Sequence, residues 1–375
     1  MKILHICQDY YYTKLYKRFM DEMEKHKVEN IVIVPVANEE MEKDEKSLNR
    51  YVYKIPCFNK IDKLFFFKKQ KKIINAIAKK ELFIENKINL IHAHTLFTSG
   101  FLARKLSDDQ GVKYIVSVRN VDVNVFFKYG FFLRRRAINV LMQAEKIIFI
   151  NPSYKNKVFT RYIGEKEKKK IQEKSFVIPN GIDSFWLNKK SYLKNFDYNE
   201  SINLIQTSVI NKNKNIKGLI NSYELLKKRG YSVKVHVIGD GLLLNKYTKE
   251  YKNNTDIKFY GRLNKEDILS IYKKENSIFF MNSKHETFGL VYIEAMSQGL
   301  PIIYTQGEGI DGYFKEGEVG YAIPYGDVDI AVECIERIIE NYNEISERCL
   351  VKSSVFSWDK INNHYLKNLI KMELE

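Results

Sequence analysis

His285-Glu286-Thr287-Phe288-Gly289-Leu290-Val291-Tyr292-Ile293-Glu294-Ala295-Met296-Ser297-Gln298-Gly299-Leu300-Pro301-Ile302-Ile303 is the stretch from which the fold is read. Just upstream, apolar Ile278-Phe279-Phe280-Met281 reads as a short buried strand, and Asn282-Ser283-Lys284-His285 as a polar loop. Leu290 to Gln298 has helical spacing, with Gly299 as a stop and Pro301 just beyond. Pro301 to Tyr304 reads as the next strand. The pattern strand, loop, helix, strand puts a helix N-terminus at Gly289 to Val291, at the carboxyl end of a parallel strand. The first amides of such a helix have no intrahelical acceptor, and its dipole favours an anion such as a diphosphate. Gly289 lets the backbone come close to that anion. Two carboxylates, Glu286 and Glu294, flank the turn eight positions apart. Read alone, they are also compatible with solvated charges beside a helix.

The same alternation runs along the whole chain. In the first half strands are expected at Lys2–Cys7, Asn30–Val34, Leu90–His92, Tyr114–Val118 and Lys146–Ile150. In the second they are expected at Asn203–Thr207, Val233–Ile238, Ile257–Tyr260, Ile278–Met281 and Pro301–Tyr304. Strands that alternate with helices imply βαβ units, parallel sheets and two doubly wound α/β domains. A chain of 375 residues has room for about two domains. The turn Val177-Ile178-Pro179-Asn180-Gly181-Ile182-Asp183 marks the boundary. The expected division is 1–185, 186–357 and a closing amphipathic helix in 358–375.

The quoted stretch resembles the Glu-x7-Glu signature of retaining glycosyltransferases of family 4, and the likeness is strongest from about residue 202 to 325. It implies the GT-B fold: two Rossmann-like domains facing a cleft, with the last helix crossing back to the first domain. It implies sugar transfer from a nucleotide-sugar donor, here expected to be a UDP-sugar. Glu286 and Lys214 are the implied catalytic residues, with Glu286 on the sugar hydroxyls and Lys214 on the diphosphate. Glu294 is implied on the ribose, and Phe288, Gly289, Leu290 and Val291 at the donor. Phe259-Tyr260-Gly261-Arg262-Leu263 resembles the loop whose backbone contacts the base, which brings in Arg262 and Leu263. Val237-Ile238-Gly239-Asp240-Gly241 resembles the glycine turn, which brings in Gly239, and Gly307 to Gly312 resembles the later glycine loop.

Other positions depart from the family pattern. The Gly-Arg pair before the diphosphate lysine is replaced by Ser208 and Val209, so Lys212 becomes the candidate second cation. In the first half, Ile91-His92-Ala93-His94 resembles a strand-end histidine pair and nominates His94 for the acceptor side. Arg119 stands where many members have histidine, in Ser117 to Asp122, and Arg119 and Asp122 join the acceptor candidates. Gln8-Asp9-Tyr10-Tyr11-Tyr12 replaces the usual glycine loop. Tyr10 and Tyr11 there either stack on sugar rings or simply pack.

The net charge of +16 is lopsided. Residues 1–185 hold 36 Lys+Arg against 21 Asp+Glu, and residues 186–375 hold 26 against 25. One half is therefore suited to a polyanion. Lys63-Leu64-Phe65-Phe66-Phe67-Lys68-Lys69-Gln70-Lys71-Lys72 and Phe126 to Arg136 interleave aromatics with bases, which suits an anionic membrane surface. The alternative is two helices with buried Phe and solvated Lys. No RNA-binding signature accompanies them, so no nucleic-acid partner is expected. No apolar run approaches the roughly 20 residues that cross a bilayer.

Asp327-Val328-Asp329 has the look of a metal motif, but it follows Gly326 and precedes an apolar helix, so Asp327 reads as an N-cap. No cofactor or metal is expected. The four cysteines show no ligand spacing and are expected to be free thiols. Together these features place the chain in the cytoplasm, peripheral on the inner face of the cell membrane, acting on a lipid-linked or surface-polysaccharide sugar. The alternatives are another enzyme on the same fold, such as an inverting transferase or an epimerase, and a non-catalytic partner of an active transferase.

Overall fold

A computed structural model describes residues 1–38, 45–46, 50–80, 83, 86–189 and 193–370. Residues 371–375 of the expected closing segment lie outside the described residues, as do the side chains of Lys63, Leu369 and Ile370. The chain forms two compact units. Unit 1 comprises Met1–Ile150, Tyr154–Pro179 and Ile361–Glu375, and unit 2 comprises Asn151–Ser153 and Asn180–Lys360. The main division thus falls at Pro179–Asn180, inside the turn singled out above, rather than at residue 185.

Unit 1 is built on an eight-stranded sheet: β1 (Lys2–Ile6), β2 (Glu29–Ala37), β3 (Glu45–Lys46), β4 (Arg50–Phe58), β5 (Leu90–Ala93), β6 (Tyr114–Val118), β7 (Lys146–Phe149) and β8 (Ser175–Val177). Their order across the sheet is β3-β4-β2-β1-β5-β6-β7-β8. All neighbours are parallel except β3 and β4. Unit 2 holds β9 (Ile202–Thr207), β10 (Val233–Ile238), β11 (Ile257–Phe259), β12 (Ser277–Met281), β13 (Ile302–Thr305) and β14 (Gly320–Ile323). They lie in the order β11-β10-β9-β12-β13-β14, all parallel. Every residue of β5, β6, β12 and β13 is buried. Helices cover both faces of such sheets, so these strands carry apolar runs without alternation. That is why the sequence shows them so plainly.

β3, β4, β8 and β14 are absent from the expected strands, and two of them show why. β4, Arg-Tyr-Val-Tyr-Lys-Ile-Pro-Cys-Phe, carries two cations and a proline in a strand that takes up nine residues. Its Arg50 is absorbed locally, bound to Glu24, Asp21 and Tyr10. β14 is only Gly-Tyr-Ala-Ile, and its opening glycine allows close packing that a side chain would prevent. A Cβ on Gly320 would stand 1.8 Å from the Ile302 carbonyl oxygen.

The last helix, Trp358–Ile370, enters unit 1 at Ile361. There Tyr365 stacks edge-on against Phe19 at 5.0 Å, and its hydroxyl lies 2.8 Å from His92 Nδ1. Asn362 donates to the Phe19 carbonyl oxygen at 3.2 Å. All four cysteines are free. Among the described residues no helix is long and apolar enough to cross a membrane.

Candidate functional site

In an open parallel sheet, ligands settle beyond the carboxyl ends of the strands where the winding reverses. In unit 2 that reversal lies between β9 and β12. The loop leaving β9 carries Lys212 to Asn215, and the loop leaving β12 carries Asn282 to Phe288. The two loops are laced together. Lys284 N donates to the Asn213 carbonyl oxygen at 2.8 Å, His285 N to Asn213 Oδ1 at 3.1 Å, and Asn213 Nδ2 to the His285 carbonyl oxygen at 2.9 Å. Buried Gln206 supports the first loop from below, donating to the Lys214 carbonyl oxygen at 2.7 Å.

Across this seam the Lys214 ammonium meets Glu286 Oε2 at 2.5 Å. The other oxygen, Oε1, accepts from Thr287 N at 3.0 Å. The backbone of Glu286 is clamped on both sides: its N donates to Glu308 Oε2 at 3.0 Å, and its carbonyl oxygen accepts from Gly309 N at 2.9 Å. Glu308 is buried and lies 3.5 Å from His285 Nδ1. Glu308, Asn213 and Gln206 thus hold the pair, yet none was a sequence candidate. The only signal for Glu308 was its place between two glycines.

Phe288 is buried in the unit 2 core. Gly289 caps the Leu290–Met296 helix at φ 80°, and a Cβ there would lie 2.4 Å from the Tyr292 ring. A side chain is excluded on both counts. Leu290 and Val291 are half-buried in the first turn, where helix geometry leaves their amides without an intrahelical acceptor. Glu294 is half-buried in the same helix. Gly239 sits at φ 132°, and a Cβ there would come 1.9 Å from the Ser208 carbonyl oxygen, so this turn packs on the chain leaving β9. Gly239 N donates to the Gly261 carbonyl oxygen at 2.8 Å, which draws in the loop bearing Arg262 and Leu263. Arg262 and Lys212 are both exposed, and Leu263 packs against the core. Asp327 accepts from Ile330 N at 3.1 Å, an N-cap as the sequence suggests.

The unit 1 candidates divide into two groups. His94, Arg119 and Asp122 come together: Arg119 Nε donates to the His94 carbonyl oxygen at 2.9 Å, and Arg119 N to Asp122 Oδ2 at 2.9 Å. Asp122 is fully buried and also accepts from Leu96 N and Phe97 N, each at 3.0 Å. Its carboxylate is occupied with shaping these loops, which is a supporting role rather than a contact surface. Burial pushes its carboxyl up to about 6, against the pull of those three amides. Tyr10 and Tyr11 lie with β4 instead. Tyr10 is buried and accepts from Arg50 at 3.2 Å, so it packs, while Tyr11 is exposed with the Lys54 ammonium 5.2 Å from its ring centroid.

His94 is buried in a cluster with His5 and His92. The ligand atoms of the three rings lie within 4.8 Å of one another. Five of their six ring nitrogens already face a hydrogen-bonding neighbour, and His94 Nδ1 is the one buried ring nitrogen left without a partner, so the rings read as a hydrogen-bonded cluster rather than a ligand set. His5 Nδ1 faces His94 Nε2 at 3.0 Å and His5 Nε2 faces Asn30 Oδ1 at 2.9 Å. His92 faces Ser117 Oγ at 2.9 Å and the Tyr365 hydroxyl at 2.8 Å. Burial lowers all three imidazoles, His5 to about 3 and the other two well below the usual histidine range.

Residues 188–350 match the family described as "Glycosyl transferases group 1". Capsular polysaccharide biosynthesis glycosyltransferase CapM of Staphylococcus aureus is 28% identical over 246 residues, which is 62% of this chain and 60% of CapM. Alpha-monoglucosyldiacylglycerol synthase of Streptococcus pneumoniae is 24% identical over 355 residues, 87% of this chain and 77% of the synthase. Among solved structures, Anabaena Alr3699/HepE in complex with UDP and glucose superposes with a TM-score of 0.66 at 17% identity, covering 99% of this chain and 100% of that one. The two parallel-sheet, Rossmann-like units are therefore the α/β fold of GT-B glycosyltransferases.

Proposed function

We propose that this chain is a retaining glycosyltransferase that moves a hexosyl or N-acetylhexosaminyl group from a UDP-sugar to a lipid-linked or surface-polysaccharide sugar at the inner face of the cell membrane. The observation that carries this reading is the Lys214–Glu286 pair at the winding reversal of unit 2, beside the Gly289 turn. The group 1 match supports sugar transfer, and the UDP and glucose bound by HepE support the donor class. The synthase and CapM relatives support a glycolipid or capsule acceptor.

In this reading each step falls to named residues. The donor diphosphate sits between the Lys214 ammonium and the Leu290 and Val291 amides. Glu286 turns towards the sugar hydroxyls and fixes the ring. The acceptor hydroxyl attacks the anomeric carbon on the face that the diphosphate leaves. The bond to the acceptor oxygen forms as the bond to the phosphate oxygen breaks, and that phosphate oxygen takes the hydroxyl proton. No protein base is required. Charge developing on the leaving diphosphate meets donors already in place, an effect that can supply roughly 3–4 kcal/mol per group. Glu294 binds the ribose. The loops of Gly239 and of Arg262 and Leu263 border the base.

The test is UDP release from a panel of UDP-sugars, with and without lipid-linked saccharides, followed by NMR assignment of the product anomer. Acceptor-dependent release with an inverted anomer would overturn retention. One observation favours a second reading, a non-catalytic partner of an active transferase: Val209 is exposed where the family pattern has its second cation. Tight UDP binding without release from any donor would support that reading instead.

A further inference from the structure

Two segments of unit 1, residues 60–72 and 121–136, carry nine of the nineteen large apolar side chains that are exposed among the described residues. Leu64 is 82% exposed, Phe65 55%, Phe131 73% and Phe132 60%, and Phe67 and Tyr129 accompany them. The segments form one surface. The Arg136 guanidinium stands 4.2 Å from the Phe67 ring centroid, and Phe66 meets Phe126 at 6.1 Å. Arg136 lies one helical turn beyond Phe132, within the Phe131–Gln143 helix.

The charge on this surface has one sign. The segments hold ten Lys and Arg and only two acids, Asp62 and Asp122. Both acids are buried. Asp62 is taken up by Asn59 N at 2.8 Å and Lys72 at 2.6 Å, and Asp122 by its three amides. Lys68 also leans towards Asp62 at 3.7 Å, and Lys69 packs over the Phe58 ring at 4.3 Å. The lysine run therefore shows less free charge than its sequence suggests. Lys71, Lys128 and Arg135 are exposed.

We propose that this surface docks on a bilayer containing anionic phospholipid, with its aromatic and aliphatic side chains inserted among the acyl-chain ends and its exposed cations on the headgroups. A contiguous apolar patch is costly to leave in water and marks an interaction site. An apolar face bordered by Lys and Arg, with no exposed acid, matches a negatively charged interface. The inference deepens the membrane reading above and rests on it. It adds that insertion, rather than the lysine run alone, carries the attachment.

The test is sedimentation of the full chain with phosphatidylcholine vesicles, with and without about 30 mol% phosphatidylglycerol, at about 0.05 M and 0.5 M salt, where screening lengths differ several-fold. Wild type should prefer the anionic vesicles and keep part of its binding at high salt. Leu64→Ser/Phe65→Ser/Phe131→Ser/Phe132→Ser should bind at least about tenfold less at both salts. Lys71→Glu/Lys128→Glu/Arg135→Glu should lose the anionic preference and retain the salt-resistant part. Because vesicle binding is read without donor, and UDP binding is read separately on the same samples, failure here is distinguishable from failure of the glycosyltransferase reading. Should the apolar variant fold poorly, Phe131→Trp gives a second readout: its fluorescence should be quenched by brominated lipid. Wild-type binding to neither vesicle, unchanged binding by the apolar variant, or an unquenched tryptophan would overturn the proposal. So would a wild-type dimer that the apolar variant dissolves, or retention by RNA instead of vesicles.

Discussion

Lys214 and Glu286 lie 72 positions apart in the chain and 2.5 Å apart in space, joining the loops that leave β9 and β12. Both side chains are mostly shielded, at 18% and 12% exposure. Removing either one takes a close opposite charge from a partly desolvated partner, so single substitutions here act on both residues.

Glu286→Ala should fold normally and turn over at least about a hundredfold more slowly, as loss of a positioning contact does. Its backbone stays clamped by Glu308 and Gly309 whatever its side chain, which is why the fold should survive. Melting curves and steady-state rates together check this. A folded variant with near-normal transfer would remove Glu286 from the site.

Lys214→Ala should weaken UDP binding about ten- to a hundredfold, since a charge-assisted hydrogen bond to a diphosphate contributes roughly 1.5–3 kcal/mol. Lys212→Ala should cost less, because Lys212 is exposed and would have to reorient to serve as the second cation. Calorimetric titration with UDP ranks the two. An equal or larger loss at Lys212 would reverse the assignment.

Glu308→Ala removes the acceptor that holds Glu286 N, whereas Glu308→Gln keeps an acceptor oxygen at that place. Turnover should therefore drop about tenfold or more for alanine and be largely rescued by glutamine, with UDP affinity nearly constant in both, as misplacement of a reacting group affects rate before binding. If the two variants behaved alike, Glu308 would matter for its charge beside His285 rather than for its clamp.

The site was partly legible because its residues follow strands that are buried on both faces. β9 and β12 announce themselves as apolar runs, and the polar residues just after them can be ranked by position. Glu286, Lys214 and the Gly239 turn were nominated by the family resemblance, and the Gly289 turn also by its place between a strand and a helix; the structure puts Lys214 and Glu286 on adjoining loops after β9 and β12. Glu308 and Gln206 were not nominated, because what they do depends on contacts between distant loops, which local pattern does not encode. β4 was missed for a related reason. Its arginine is acceptable in a strand only because Glu24 and Asp21 in the first helix and Tyr10 after β1 converge on it. Tyr10 and Tyr11, adjacent in sequence, have opposite fates for the reason that neighbouring side chains in extended or turn backbone point different ways.

Donor binding and turnover should persist in excess EDTA. Among the described residues, neither group of three ligating side chains close enough to surround an ion includes Glu286, Glu294 or Glu308. The diphosphate has an ammonium and helix amides to meet it instead. Loss of activity in EDTA with recovery on adding Mg²⁺ or Mn²⁺ would show that a metal ion bridges the phosphates.

Acid should destabilise unit 1 through its buried histidines. His5, His92 and His94 are held neutral in the fold, with pKa values below that of the unfolded chain. Above pH 6.5 both states are neutral and nothing is lost. Below it the unfolded state takes up protons that the folded state refuses, so each histidine costs about 1.4 kcal/mol per pH unit. Arg119 reinforces the refusal in His92 and His94. Asp122 works the other way: its folded pKa of about 6 exceeds the unfolded value, so between about pH 6 and 4 it takes up a proton on folding and offsets roughly one histidine. The four groups together should then remove about 2–3 kcal/mol per pH unit near pH 5. Urea titrations at pH 7.5, 6 and 5 read the slope for wild type and for His94→Gln, which should lose about one proton's worth of it. Equal slopes for the two proteins would mean that His94 already titrates normally inside the fold.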